Sequence, residues 1–296
     1  MNDNDNDTFH RMDGTDPRPG RGLIVTIDVE DHTLPPSMPR LDAAIAPILD
    51  LLCRREIHAT FFVVGELVES SRELLHRLME DGHELGLHGF THRYLRDLGP
   101  VGFADELRYG VDAFHDHLGI TPTGFRAPYC SITRDTPWAP DLLTEAGFHY
   151  SSSVLPASNP IAGYPGAPRR PFRWPSGLIE IPVPVFGRGR LSVPALGGAY
   201  LRLAPRVIIR WARRGRSAEA GDWTYAHPYD FDLSEPFFRR PGQAWLEARL
   251  LFARRRLMLA RFDNLMNAGS PTLGDFAAGL QKSVDLPTFQ PTALPA

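Results

Sequence analysis

Apolar and polar positions alternate along this chain with two different periods. "GLIVTID" (22–28) and "HATFFVVG" (58–65) are short apolar, β-branched runs with the length of buried strands. "HELGLH" (83–88) alternates strictly, as a half-buried strand does. "PTGFRAP" (122–128), "FHYSSSV" (148–154), "GLIEIPV" (177–183) and "DWTYAHPYDFD" (222–232) each contain a further strand. Between them lie segments of helical period: 41–56, 71–82, 101–119 and 136–147, with Gly82 and Gly119 as stops. Strands alternating with helices predict an α/β chain with a parallel sheet, open or closed into a barrel.

The rhythm changes after residue 154. From Leu155 to Pro184 prolines recur every few residues, which predicts a long structured loop. Phe172 and Trp174 within it read as buried anchors, with stacking on a sugar ring as the second reading. Gly197-Gly198 is either an ordinary turn or a place where backbone approaches a ligand. "RLAPRVIIRWARRGR" (202–216) carries six arginines and no acid. It reads as an amphipathic helix packed on the sheet with a solvated basic face. The second reading is contact with anionic lipid head groups or a pyrophosphate-bearing carrier. Residues 244–266 predict one or two helices. No repeat or linker divides the chain. The expected organisation is a disordered leader over 1–20, one folded unit over 21–286 and a loose tail over 287–296.

Composition narrows the function classes. The 296 residues are 43% hydrophobic, enough for a substantial core, and the net charge of −3 gives no case for nucleic-acid binding. Two cysteines, Cys53 and Cys130, are too few for a disulfide framework and suit a reducing compartment. The first twenty residues contain no apolar stretch of the kind a secretory signal needs, and no apolar run approaches the roughly 18 residues of a membrane span. The expectation is a soluble, cytoplasmic protein.

Candidate chemistry collects where such a fold places it, at the C-terminal ends of parallel strands. The first predicted strand ends in Asp28, Glu30 and Asp31, the third in His88 and His92, the fourth in Arg126 and the last in His227. The two histidines of "HGFTH" stand four apart and can share one face of a helical turn. Two histidines and a carboxylate form a three-ligand metal set with an open position for water. A second carboxylate and a separate histidine could serve as base and acid. Asp230 and Asp232 read as ties of the loop after the last strand.

"TIDVED", "HGFTH", "GFRAPY" and "YAHPYDFD" follow one another in the order and approximate spacing of the NodB-homology polysaccharide deacetylases. The resemblance extends over roughly residues 20 to 270. "YSSSVLP", "SVPALGGAYLRLAP" and the ending "HPYDFD" are similar to the subgroup linked to exopolysaccharide biosynthesis. The resemblance implies a single-domain distorted (β/α) barrel of about seven strands and removal of an N-acetyl group from an amino-sugar substrate. It implies Asp28 as general base, His227 as general acid, Arg126 as the residue that fixes Asp28, and His88 and His92 as metal ligands. The metal carboxylate is Glu30 if strand alternation holds, because residues 28 and 30 then point to one side; it is Asp31 if the strand breaks at Val29. One divalent ion is implied, for which zinc suits a His/His/carboxylate set. The chain departs from the family at Ser151, where relatives often carry an aspartate. The expected substrate is a saccharide or a lipid- or nucleotide-linked sugar. Two other classes remain: an amidohydrolase of the same architecture acting on a cyclic imide or ureide, and a catalytically silent binding module.

Overall fold

Alternation along the strands decides what each side of the sheet faces. In the computed structural model, which describes residues 22–31, 40–159, 162–189, 192–239, 242–283 and 286–291, β1 spans Ile24–Val29 and every residue in it is buried. Val25, Ile27 and Val29 pack outward into the larger core, against helices α1 (Leu41–Arg55) and α2 (Arg72–Glu80). Ile24 belongs to a second, inner cluster with Phe62, Tyr150, Ile179, Ile181 and Trp223. Thr26 and Asp28, on the same side as Ile24, face that interior, where Arg126 reaches both. A fully buried two-sided strand therefore still separates a packing face from a chemical one.

Eight strands form one sheet in the order β6-β7-β5-β4-β3-β2-β1-β8. β2 (Thr60–Val63), β3 (Glu84–Leu87), β4 (Gly124–Phe125), β5 (Tyr150–Ser151), β7 (Ile179–Glu180) and β8 (Trp223–Ala226) run parallel to β1. The short β6 (Phe172–Arg173) pairs antiparallel with β7 at one edge. The sheet curls into an incomplete (β/α) barrel. Across the gap the Trp223 indole of β8 donates to the carbonyls of Ile181 and Pro182 beyond β7, at 3.3 and 3.1 Å.

Glycines make room for the interior rings. A Cβ on Gly86 of β3 would stand 2.8 Å from the Phe62 ring and 2.9 Å from the Gly124 carbonyl. Neither neighbour can retreat, because one is wedged in the barrel and the other is sheet backbone. Gly86→Ala is expected to destabilise the fold by about 1–3 kcal/mol, the usual cost of overpacking. A shifted urea midpoint at unchanged slope would measure it, and an unmoved midpoint would show the interior to be looser than drawn.

Several elements differ from the sequence expectation. The proline-rich stretch contains the edge strand β6, and Phe172 and Trp174 are buried in an aromatic cluster with Tyr164 and Phe289, so they are anchors. The tail is not loose over its whole length: Thr288 bridges to Arg173, and Phe289 fills that cluster. Residues 292–296 and the leader lie outside the described residues. The basic stretch is two helices, α5 (Gly198–Leu203) and α6 (Arg206–Arg213), interrupted where Pro205 forces extended backbone. The last predicted strand stops at Ala226 and continues as a one-turn 3₁₀ helix, Pro228–Asp230. Residues 244–266 form α7 (Trp245–Phe252) and α8 (Met258–Asp263). α9 (Leu273–Gln281), capped by the Thr272 hydroxyl, closes the opposite end of the barrel and seats the Gly274 amide on the half-buried Glu84 carboxylate at 2.8 Å.

Candidate active site

The inward parity of the strands carries the candidate residues to one rim. Asp28 is the last inward residue of β1, and Glu30 follows two residues later on the same side. His88 directly follows β3, Arg126 follows β4 and His227 follows β8. All five, with His92, line a single cleft of about 490 Å³.

Arg126 organises its floor. It is buried, with its guanidinium 4.1 Å from the centres of both the Phe62 and Trp223 rings. It donates to Asp28 Oδ1 at 2.5 Å and to the Thr26 hydroxyl at 2.8 Å. Its remaining nitrogens reach the Ser152 carbonyl at 3.2 Å and hydroxyl at 3.1 Å. These bonds fix the planar guanidinium, and with it Asp28.

"HGFTH" is not a helical turn. His88 follows β3 with its amide still bonded to the Val63 carbonyl at 2.8 Å, and the left-handed residues Gly89 (φ 69°) and His92 (φ 54°) fold the chain back. The turn is tied from α3 (Leu95–Leu118), where the buried Glu106 accepts from the Phe90 amide at 2.7 Å, the Thr91 amide at 3.0 Å and the Thr91 hydroxyl. The imidazoles of His88 and His92 end 5.1 Å apart. Donor atoms of Glu30, His88 and His92 all lie within 4.8 Å of one another. Glu30 Oε2 is 2.6 Å from His92 Nε2. The structure thus brings Glu30 to the histidines. Asp31 is exposed and turned to a separate crevice beside Arg40 and Asp232, so the alternative carboxylate does not join the group. The reason is parity, since the backbone keeps its alternation through residue 30.

The electrostatics divide the histidines. Burial lowers His88 to about 4, against the opposing fields of Asp28 and Glu30, so it is neutral near pH 7. Its Nδ1 lies 2.9 Å from the Arg126 carbonyl, which can only accept; Nδ1 therefore carries the proton and Nε2 the lone pair. Burial opposes charge on His227 too, but its hydrogen bond to Asp230 and the fields of Glu30, Asp230 and Asp28 prevail and raise it to about 9. Burial would raise Glu30; the His227 field and the His92 hydrogen bond outweigh it and hold the carboxyl well below its ordinary range.

Three site residues were missed or misread in the sequence. Asp230 accepts from the His227 amide at 2.9 Å and contacts its Nδ1 at 3.0 Å, so it orients a catalytic-type imidazole as well as tying the loop. Arg202, expected on a solvated face, is buried on α5 and pairs with the other Asp230 oxygen at 2.7 Å. Ser152 supports Arg126. Asp232 does tie the loop, through Arg40 at 2.8 Å. Ser151 bonds Ser153 at 2.7 Å and takes no part in the His227 contacts. Gly197 and Gly198 give space to the Tyr225 ring, and Gly198 also lines the cleft. The His–Asp spacing of three in "HPYD" was a usable signal for Asp230; Arg202, distant in sequence, offered none.

The family description "Polysaccharide deacetylase" matches residues 19–151, and "Domain of unknown function (DUF3473)" matches residues 152–271. The boundary falls inside one sheet: the first segment supplies Asp28, Glu30, His88, His92 and Arg126, and the second supplies Arg202, His227 and Asp230. Chitin deacetylase 1 of Cryptococcus neoformans is 36% identical over 85 residues, which are 29% of this chain and 18% of that protein. Peptidoglycan deacetylase of Helicobacter pylori is 29% identical over 114 residues, 38% of each chain. The chain therefore matches well under half the length of either curated relative. A Mycobacterium smegmatis crystal structure assigned to the polysaccharide deacetylases shares the fold, with a TM-score of 0.57 at 18% identity over 94% of this chain and 97% of that one. Through residues 19–151, which hold the buried Asp28–Arg126 pair and the Glu30/His88/His92 group, the chain carries a polysaccharide deacetylase domain.

Proposed function

We propose that this chain is a metal-dependent N-deacetylase that hydrolyses the N-acetyl amide of an amino-sugar-containing saccharide, with exopolysaccharide assembly as its setting. The observation that supports this reading is the meeting, on one rim, of a His/His/carboxylate group, an arginine-held carboxylate and a carboxylate-held histidine. The first group fits a divalent cation. Its donor atoms gather within 4.8 Å of one another, and the His88 lone pair is left on Nε2 by the Arg126 carbonyl. Glu30, His88 and His92 would hold the ion, and zinc suits this set. Such an ion, when bound, polarises an acyl oxygen and brings the pKa of a water to about 7.

The chain's own residues perform the proton transfers. Asp28, fixed by Arg126, takes the proton of the water that attacks the acyl carbon. As the carbon–nitrogen bond breaks, His227 delivers a proton from Nε2 to the leaving amine; Asp230 holds Nδ1 and so leaves Nε2 as the donating atom. Acetate and a free amino sugar result. The cleft is open at the rim, which suits a sugar unit at the end or within a chain.

Acetate release decides the reading. Purified protein is expected to release acetate from N-acetylated chitooligosaccharides or peptidoglycan fragments, to stop with a chelator and to recover with zinc. Turnover of cyclic imides or ureides without any acetate release would replace the saccharide reading with the amidohydrolase one.

A further inference from the structure

Helices α5 to α7 present a surface that a water-facing monomer has no use for. Val207 and Trp211 of α6 are each 56% exposed, and Trp245 and Leu246 of α7 are 57% and 62% exposed. Exposed leucines alone are ordinary, but on each of these two helices a tryptophan is exposed together with an aliphatic side chain. Arginines fasten α5 to the end of α7 and to α8. Arg202 of α5 donates to the Leu251 and Ala253 carbonyls at the end of α7, both at 2.9 Å. Arg254 returns a bond to Leu203 at 3.1 Å, and Arg261 bonds the carbonyls of Leu201 and Arg202 at 2.7 Å and of Ala204 at 2.9 Å. α6 begins two residues after Ala204, beside these ties.

The same surface is strongly basic. Arg206, Arg210 and Arg214 are exposed on and just after α6, which contains no acid. Arg249, Arg254 and Arg256 are exposed on and just after α7, whose sequence has Glu247 as its single acid. Arg206 and Arg254 stand near enough to Arg261 to help lower its pKa after burial, a sign of like charges crowded together. The net charge of the whole chain is −3, so this basic surface is a local feature and not the sign of the chain at large.

We infer that this surface docks on an anionic lipid bilayer and turns the cleft mouth toward it. Tryptophans settle at head-group depth, aliphatic side chains enter the acyl boundary and guanidiniums meet lipid phosphates. Each basic residue near such a surface adds to the attraction. A second copy of the chain is a poor occupant, because a two-fold contact would set arginines against arginines. The surface is continuous with the cleft: Tyr200 of α5 and Leu250 of α7 are 40% and 42% exposed and also line it. Resting on the deacetylase reading above, the corollary is a substrate whose saccharide is carried on a lipid phosphate.

Vesicle cosedimentation tests the docking without any turnover, so its failure leaves the deacetylase reading standing, and the converse holds too. Equimolar phosphatidylglycerol and phosphatidylcholine vesicles should retain the protein at low salt, at least tenfold more strongly than phosphatidylcholine alone. Physiological salt should weaken retention, since charge is then screened over about 8 Å. The exposed double variants Trp211→Ser/Trp245→Ser and Arg210→Glu/Arg214→Glu should each lose about tenfold in binding while keeping activity on a soluble substrate and the native circular dichroism spectrum. Absence of binding to the anionic vesicles would overturn the inference, as would unchanged binding by both variants. A wild-type dimer in sedimentation equilibrium that the tryptophan variant abolishes would assign the surface to self-association instead.

Discussion

Asp28→Asn should leave the metal in place and lower turnover about a hundredfold or more, the usual contribution of a general base. The substitution is nearly isosteric. The amide oxygen can still accept from Arg126, which keeps its bonds to Thr26 and Ser152, so the floor of the cleft should persist. What disappears is the negative charge and the capacity to take a proton. Metal content by mass spectrometry and acetate release by a coupled assay separate these outcomes, and near-normal turnover would end the role assigned to Asp28. Asp230→Asn probes the other side of the proton path. His227 is raised to about 9 partly by Asp230, and its protonated form is the one that donates. Activity that depends on it is present below that pKa and is lost as pH rises through it. Without the Asp230 charge the alkaline limb should therefore move to lower pH, with the metal retained.

The parts of the fold that could be read in the sequence are those where a local pattern decides the structure. β1, β2 and β3 are apolar runs whose parity alone separates the packing face from the chemical face, and β3 ends at the histidines. Asp28, Glu30, His88, Arg126 and His227 were legible for the same reason, since each stands at or just beyond the end of such a run. Long-range contacts were not legible. β6 is two residues long and exists because Phe172 and Arg173 pair with β7 and with the tail. The split at Pro205 was visible as a proline, but apolar spacing masked it, and with it the inward turn of Arg202. The same limit hid Glu106, which ties the His92 turn from sixteen residues away. The segment matched to a domain of unknown function shows the consequence. Its Arg202–Asp230–His227 chain completes a rim built mostly by the first half of the sequence, so neither half contains the whole site.

Glu30→Gln should weaken metal binding about a hundredfold or more, above the 10–100-fold range typical of losing a ligand's outer partner. Asp31→Asn should leave it nearly intact. The two acids are neighbours of similar chemistry, so the contrast isolates geometry. Glu30 reaches both His92, at 2.6 Å, and His227, at 3.8 Å, whereas Asp31 is exposed toward another crevice. A neutral amide at position 30 keeps the shape and one oxygen but removes the charge that stabilises a divalent cation. His88→Ala should be at least as damaging, because it removes a nitrogen whose lone pair is aimed by the Arg126 carbonyl. Competition with a chromogenic chelator gives the affinities, and circular dichroism of the metal-free proteins confirms that each variant is folded. Loss of metal in Asp31→Asn with retention in Glu30→Gln would mean that the chain turns over after Val29 when an ion binds, and that the carboxylate at position 30 serves only the histidines around it.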